Sequence, residues 1–577
     1  MATNYSIPQT MALDERQVAN SAGGFSYAVD DEMRLLRYLI LGSSAGSYYA
    51  KPQELTEENL AALLRLLAAG KGPEAVAIIR EVSVSGRAPR QTPTLTALAV
   101  CAKRGDEATR KAAYAAVPAV CRIPTHLFEF LELCEAQAKA NGGGTGWGRA
   151  HRRAVAGWYN EHRGASATAL AMSVTKYQQR HGWAHLDALR LCHATPATDA
   201  HAAVFRYLAK GLADAQANTP ANAPATPEGK GKKRALEEPV LNVSETALTE
   251  REAVLTFLGA VEEAKRLTSE DAGRCVELIR QHRLVREHVP SGLLGSVPVW
   301  SALLEQMPLT ALIRSLGKLS SIGLVAPGSE AAAAVAARLT DAAALRKARV
   351  HPMAVLLAHK TYSAGRGDKG KLTWTPAPEV VAALDQAFEL AFASVQPAGK
   401  RFMLALDVSG SMCASINGSG GWGTQPGELS CHEASAAMAL IALRTEPSCI
   451  PMCFSSRLQK LPLTKEMSLG EAVAATSGLS FGRTDCSLPM QYAMQNKLEV
   501  DTFIVYTDSE TYHGRVHPTE ALRQYRKASG IDARLIVVGM CSNGFTIADP
   551  EDAGMLDCVG FDSASPQVMS DFAAGRV

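Results

Sequence analysis

The sequence predicts an α + α/β chain, in which a long succession of helices is followed by a doubly wound α/β domain. Apolar residues recur at helical spacing through the first two thirds of the chain, and after Gly399 the period changes. From there strand-like apolar runs alternate with helical stretches, and two of those runs end in a carboxylate. At 577 residues the chain exceeds what one hydrophobic core supports, so two or more domains are expected. A hydrophobic content of 47% with 20% charged residues belongs to a globular protein.

Residues 1–15 are expected to be disordered, and residues 16–395 to form the helical module. Thr56 reads as a cap, followed by Leu60, Leu63, Leu64 and Leu67 at i, i+3, i+4, i+7 and by Gly70 at the exit. Pro124 suits the first turn of a helix over Thr125 to about Ala140, which Gly142, Gly143 and Gly144 terminate. Further helices are expected over Arg149–Tyr159, Ala167–Arg180, Glu250–Leu267 and Glu270–His288, continuing to about Ser394. Helices of this length with short joins suit an α-solenoid. Residues 215–239, rich in Ala, Pro, Gly and Lys, read as a flexible linker or loop. Its Lys230–Arg234 cluster is a candidate import signal or RNA-contacting arm, with a merely solvated loop the favoured reading.

Residues 396–577 form the α/β domain. Arg401–Asp407 is a continuous apolar run ending in an acid, as in a buried parallel strand, and further strands are expected at Ile450–Phe454, Thr502–Thr507 and Ala533–Val538. Helices are expected between them, at His432–Arg444, Leu469–Thr476, Leu488–Asn496 and Pro518–Lys527. Ligands of such sheets bind at the carboxyl ends of the strands, where Asp407 and Asp508 fall.

Asp407, Ser409 and Ser411 lie on one such loop, and Thr484 and Asp508 on two later ones. All five are hard oxygen donors, the set expected for one Mg²⁺ or Mn²⁺. Two acids balance the dication, and one coordination position remains for water or for an acid from a partner. The constellation resembles the metal-ion-dependent adhesion site of the von Willebrand factor A fold. The alternative, in which Ser409 and Ser411 merely cap a helix, does not require acids at two strand ends. Arg483 adds a positive charge beside the site, which either weakens the metal or helps hold an anionic partner. No GxSxG elbow occurs, and a serine-rich single-ion site suits ligand binding better than hydrolysis, so no enzymatic activity is expected.

A net charge of +2 requires any nucleic-acid surface to be local. Residues 141–190 supply one, with seven Arg and Lys against two acids, plus His151, His162, His181 and His185. Lys176 and Arg180 stand at i, i+4, as on one helical face that straddles neighbouring phosphates. Tyr177 and Trp183 either stack on unpaired bases or belong to the core. Twelve scattered cysteines and the lack of a secretory signal suggest reduced thiols in a cytoplasmic or nuclear setting. Cys449 and Cys453 read as buried thiols. No apolar run approaches bilayer length, so no membrane partner is expected.

Several long strings carry a resemblance. Gln17–Gly24, Cys121–Phe128, Trp158–Glu161, Val174–Arg180, His282–His288, Met307–Ala311 and Ser542–Pro550 closely resemble the Ro ribonucleoprotein autoantigen (SS-A/Ro) family, almost end to end. The resemblance implies a TROVE module, built as a ring of HEAT-like helical repeats, with a von Willebrand factor A-type domain at residues 396–577. It also implies binding of small noncoding Y-like RNAs on the outside and of single-stranded 3′ ends of misfolded small RNAs in the ring, as in RNA quality control. Lys176, Arg180 and His193 match the family's Y RNA-binding positions, while Arg149, Arg152 and Arg153 lie in a segment that matches less closely. The linker at 215–239 and the Gly-rich insert 414–423 are longer than in the family. The competing reading is a metal-dependent protein-assembly module, bound through a partner's acid at the metal, with RNA binding secondary.

Overall fold

The computed structural model describes residues 6–577, apart from 45, 145, 218–248, 368–370, 393–394, 417–427, 477–478 and 480–481. Most of the 215–239 stretch, including Lys230–Arg234, and the 417–423 part of the Gly-rich insert therefore lie outside the described residues. The chain separates into two compact units. The first joins residues 1–101 and 105–109 to 308–577, and the second comprises 102–104 and 110–307. These units do not follow the change of period near residue 396, because helices from both ends of the helical stretch belong with the α/β sheet.

The first unit opens with two short strands, β1 (Gln17–Ala19) and β2 (Phe25–Ala28), paired antiparallel. In the second unit β3 (Gln179–Arg180) and β4 (Trp183–Ala184) form a separate hairpin. The remaining strands return to the first unit: β5 (Arg401–Asp407), β6 (Ser448–Phe454), β7 (Leu458–Lys460), β8 (Thr502–Thr507), β9 (Arg534–Gly539), β10 (Phe545–Thr546) and β11 (Met555–Val559).

The main sheet runs β11-β9-β8-β5-β6-β7, parallel except for the antiparallel edge strand β7. β5 is buried from Phe402 to Asp407 because both faces are covered, so its sequence is a continuous apolar run rather than an alternating one. On one face Met403, Ala405, Phe503, Val505, Leu535 and Val537 pack with Met490, Leu522 and Tyr525 of the helices Leu488–Gln495 and Pro518–Ser529. The helix Cys431–Thr445 packs against β5 and β6. β5 sits between β8 and β6, so the chain's order reverses beside it. That reversal opens a crevice at the carboxyl ends of β5 and β8.

Residues 6–15 are built into this unit, contrary to the disorder expected for them, while residues 1–5 lie outside the described residues. Gln9 is wholly buried, and β10 pairs with β2 through Phe545↔Ala28 and Thr546↔Tyr27. Arg37, also fully buried, makes a fork of hydrogen bonds of 2.7 and 2.8 Å to the Asp557 carboxylate on β11. The first-unit helix with the expected Leu stripe runs Pro52–Ala68, one turn earlier than read. The buried face is Leu55, Asn59, Ala62, Leu63 and Leu66, so that of the expected stripe only Leu63 is buried while Leu60, Leu64 and Leu67 are half-buried. Thr56 lies inside the helix, its hydroxyl donating to the Pro52 carbonyl at 2.6 Å. Threonine satisfies either role locally, which is why its capping signal misled.

The second unit is helical, including Pro124–Ala140, Arg149–Ala165, Ala167–Lys176, His185–Cys192, Glu250–Ala264 and Ala272–His282. Its core holds Phe128, Phe130, Trp158 and Tyr159, with the Trp158 indole donating to the Cys121 carbonyl. The helix expected over Ala167–Arg180 stops at Lys176, and β3 and β4 follow, joined by His181 and Gly182 at φ of 54° and 74°. Two consecutive positive φ values make the two-residue turn that hairpins prefer.

Candidate metal centre and basic face

All five predicted metal donors are buried; Asp407, Ser409, Ser411 and Asp508 gather at the strand ends, and Thr484 stands on the adjoining loop. Asp407 closes β5, and Ser409 and Ser411 follow on the loop, their hydroxyl oxygens 3.2 Å apart. The Ser409 amide donates to Asp407 Oδ1 at 2.9 Å, and the Thr507 hydroxyl to Asp407 Oδ2 at 2.7 Å. Asp508 stands one residue beyond β8 and accepts from the Ser411 hydroxyl and, at 3.1 Å, from the Glu510 amide. Thr484 comes from the loop before Leu488–Gln495, and its carbonyl accepts from the Tyr512 and His513 amides at 3.1 and 2.9 Å. The Thr484 loop is thereby tied to the Asp508 loop.

Burial and the neighbouring Asp508 charge push the Asp407 carboxyl above the usual carboxylate range, and burial does the same to Asp508. Glu510, 1% exposed, is pushed up by burial and again by Asp508. Like charges so crowded and desolvated are costly without a cation. The donor set therefore fits a hard dication, which would turn that repulsion into attraction. Asp407, Ser409, Ser411, Thr484 and Asp508 would hold it. Among the described residues no cluster of three or more His, Cys, Asp or Glu is placed to hold a metal. Cys449 and Cys453 are free thiols on β6, with Cys453 buried and Cys449 half-buried. Ser509, between Asp508 and Glu510, holds φ of 62°, an uncommon conformation that Asn543 Nδ2 braces by donating to the Asp508 carbonyl at 2.8 Å. A pocket beside the donors is lined by Ser43, Ser47, Tyr48, Ser411, Asp508 and Cys541. Arg483 is exposed.

Sequence reasoning missed Thr507 and Glu510. Thr507 looks like an ordinary β-branched strand residue, and its hydroxyl acquires a role only because β8 lies beside β5. Glu510 did carry a signal, as an acid two residues past Asp508 at a buried strand end.

The predicted RNA-binding residues all lie in the second unit. Arg149, Arg152 and Arg153 fall within the first five residues of Arg149–Ala165, exposed and without an ion pair among the described residues. Lys176 ends its helix, where it lies 3.8 Å from Glu287 and 5.1 Å from the Tyr177 ring. Arg180 is exposed on β3 and His193 is exposed at the end of His185–Cys192. Lys176 and Arg180 thus do not share one helical face, because the backbone leaves the helix between them. Tyr177 and Trp183 are half-buried, and Trp183 lies 5.6 Å from the Trp147 ring. The histidines add less charge than their number suggests. Burial lowers His151 to about 3, and His162 and His185 to about 4, so these three are neutral at pH 7. His181 is exposed and meets Glu132 at 2.8 Å.

A helical module with an A-type α/β domain, whose strand ends gather two acids and several hydroxyls, defines the class of protein. The TROVE domain model matches residues 18–364, and the Ro60 vWA domain model matches residues 401–573. The RNA-binding protein RO60 of Deinococcus radiodurans is 41% identical over 573 residues, spanning 99% of this chain and 98% of its own. The protein of the same name in Caenorhabditis elegans is 37% identical over 609 residues, with 99% and 92% covered. The crystal structure of the Deinococcus radiodurans RO (RSR) protein superposes with a TM-score of 0.64 at 38% identity, covering 95% of this chain and all of the other. The chain belongs to the Ro60 family.

Proposed function

We propose that the chain binds RNA as a ribonucleoprotein subunit, without catalytic turnover, and holds small noncoding Y-like RNAs and the single-stranded 3′ ends of misfolded small RNAs. The observation that supports this most directly is the exposed basic set on the second unit, Arg149, Arg152, Arg153 and Arg180, in a chain whose near full-length relatives are named RNA-binding proteins. Arginines exposed without partners serve phosphate better than they serve folding. Half-buried Tyr177 and Trp183 add aromatic edges beside them. The A-type domain takes one Mg²⁺ or Mn²⁺ on Asp407, Ser409, Ser411, Thr484 and Asp508. That metal serves a partner's acid rather than hydrolysis, and the pocket beside Ser411 and Asp508 gives such an acid a way in. All twelve cysteines are free thiols, as a cytoplasmic or nuclear protein requires.

A ring of helical repeats, which the family resemblance implies, would admit a flexible strand and exclude a duplex. A tail gripped in this way, next to a duplex held on the basic face, makes the second contact intramolecular, so neither need be strong. A hairpin with a single-stranded 3′ tail should therefore outcompete both the blunt hairpin and the isolated tail in electrophoretic competition at fixed salt. Equal affinity for blunt and tailed hairpins would remove the threading element and leave a basic surface alone.

A further inference from the structure

Resting on the metal reading above, we propose that Gln9 is a positioning residue of the metal centre, a clip from the start of the chain that sets the spacing of the two loops carrying Thr484 and Asp508.

Both ends of the Gln9 amide are used. Nε2 donates to Asp485 Oδ1 at 2.8 Å and to the Val516 carbonyl at 2.7 Å, while Oε1 accepts from the Thr511 hydroxyl. Asp485 is the residue after Thr484, and Thr511 lies three residues beyond Asp508. Gln9 therefore spans the two loops. Its backbone is pinned as well. The Gln9 amide donates to the Gly514 carbonyl at 3.0 Å, and the Gln9 carbonyl accepts from the Phe25 amide at 2.9 Å.

The partners are themselves committed. Asp485 Oδ1 also accepts from the Ser487 amide at 3.0 Å, and the Thr511 hydroxyl accepts from the Cys486 amide at 3.1 Å. Hence a shift of Gln9 would pull on both sides of Thr484. Two glycines show that the approach is built in. A Cβ on Gly514 would come within 2.3 Å of Gln9 Nε2 and 2.4 Å of Asp485 Oδ1, and one on Gly24 would come within 2.0 Å of the Thr511 carbonyl oxygen. The turn between β1 and β2 adds a parallel tie, since the Ser21 and Ala22 amides donate to Glu510 Oε2 at 2.8 and 3.3 Å. A neutral amide suits the place. It joins an acceptor carboxylate to a donor hydroxyl and adds no charge beside acids already crowded.

Metal affinity is sensitive to groups that orient the ligands, and losing one typically weakens binding about 10-fold to 100-fold. The test titrates Mn²⁺ into the full-length chain and follows free Mn²⁺ by electron paramagnetic resonance, with near-UV circular dichroism and apo-protein Tm recorded in parallel. Gln9→Met keeps length and removes the amide, Thr511→Val keeps shape and removes the hydroxyl, and the double variant tests whether they act as one link. Each single variant should weaken Mn²⁺ at least about 10-fold with native near-UV signal, and the double variant should lose no more than the worse single one. Arg16→Ala is the control, because Arg16 pins the same segment through Asp549 at 2.7 Å, away from both loops. It should lower Tm yet leave the Mn²⁺ Kd within about 2-fold of wild type. A natively folded Gln9→Met or Thr511→Val with unchanged Kd, or an equal loss in Arg16→Ala, overturns the role of Gln9 while leaving the metal site standing. Absence of Mn²⁺ binding by the wild type, or retention of it by Asp407→Ala, overturns the metal site and this inference together.

Discussion

Replacing Arg149, Arg152 and Arg153 together by alanine separates RNA binding from folding, because physics assigns opposite signs to the two effects. All three stand exposed within the first five residues of Arg149–Ala165, near the positive end of the helix dipole. Cations there oppose the dipole, and alanine is the best helix former, so the triple variant should melt at or slightly above the wild-type temperature. RNA binding responds the other way. Each phosphate contact contributes about 0.9 to the slope of log K against log salt for a duplex, so three lost contacts flatten the slope by up to about 2.7. Between about 50 and 200 mM salt, that difference changes the ratio of wild-type to variant affinity by up to roughly 40-fold. Fluorescence anisotropy with a labelled hairpin RNA across that range measures the slope, and calorimetry measures the melt. A slope equal to that of the wild type would show that the arginines face solvent. A flattened slope with a markedly lower Tm would trace the loss to unfolding. Lys176→Ala with Arg180→Ala should flatten the slope less per residue, since Lys176 already has Glu287 and the Tyr177 ring as neighbours.

Asp407→Ala should abolish Mn²⁺ binding while leaving RNA affinity within about 2-fold, since the two surfaces belong to different units; an equal loss of both in a folded variant contradicts the division of roles. The second unit should be acid-labile. Burial lowers His126, His162, His185 and His288 to about 4 and His151 to about 3. The unfolded chain takes up protons below about pH 6.5 that the folded unit refuses, so stability is complete above that pH and falls as pH drops towards 4. Each buried histidine contributes up to about 1.4 kcal/mol per pH unit in that window. A Tm that stays flat from pH 7.5 to 5 would mean that these histidines are hydrated.

The α/β domain was legible because its signals are short-range. A parallel strand covered on both faces must be apolar throughout, and Asp407 at the end of such a run has few structural explanations. The gathering of Asp407, Ser409, Ser411 and Asp508 at the strand ends was likewise readable, since hydroxyl and carboxylate spacing survives any error in helix boundaries. The basic face was harder. Lys176 and Arg180 fit a helical period, but Gly182, free to take a positive φ, marks the turn that ends the helix and sends Arg180 onto a strand. Histidine count overstated the charge, because burial is decided by packing that no local pattern reveals. Gln9 was illegible for the same reason: a polar residue in a polar segment looks solvated until its partners arrive from residues 485 to 516.

That last pairing sets a timetable for biosynthesis. Gln9 and its Val516 partner are 507 positions apart, and β2 waits for β10 at Phe545. At about 5–20 residues per second, a ribosome takes roughly 25–100 s to cover that distance. Throughout that interval the hairpin of β1 and β2 presents an unpaired edge, the kind of surface that recruits other chains. The second unit draws almost entirely on residues 110–307, so it completes its contacts while the first unit is still half made. Nascent chains halted near residue 400 should therefore resist protease across the second unit and be cut near Gln9. Protection of both segments at that length would contradict this order. A holdase bound near the start of the emerging chain would cover the exposed edge until the last strands leave the ribosome.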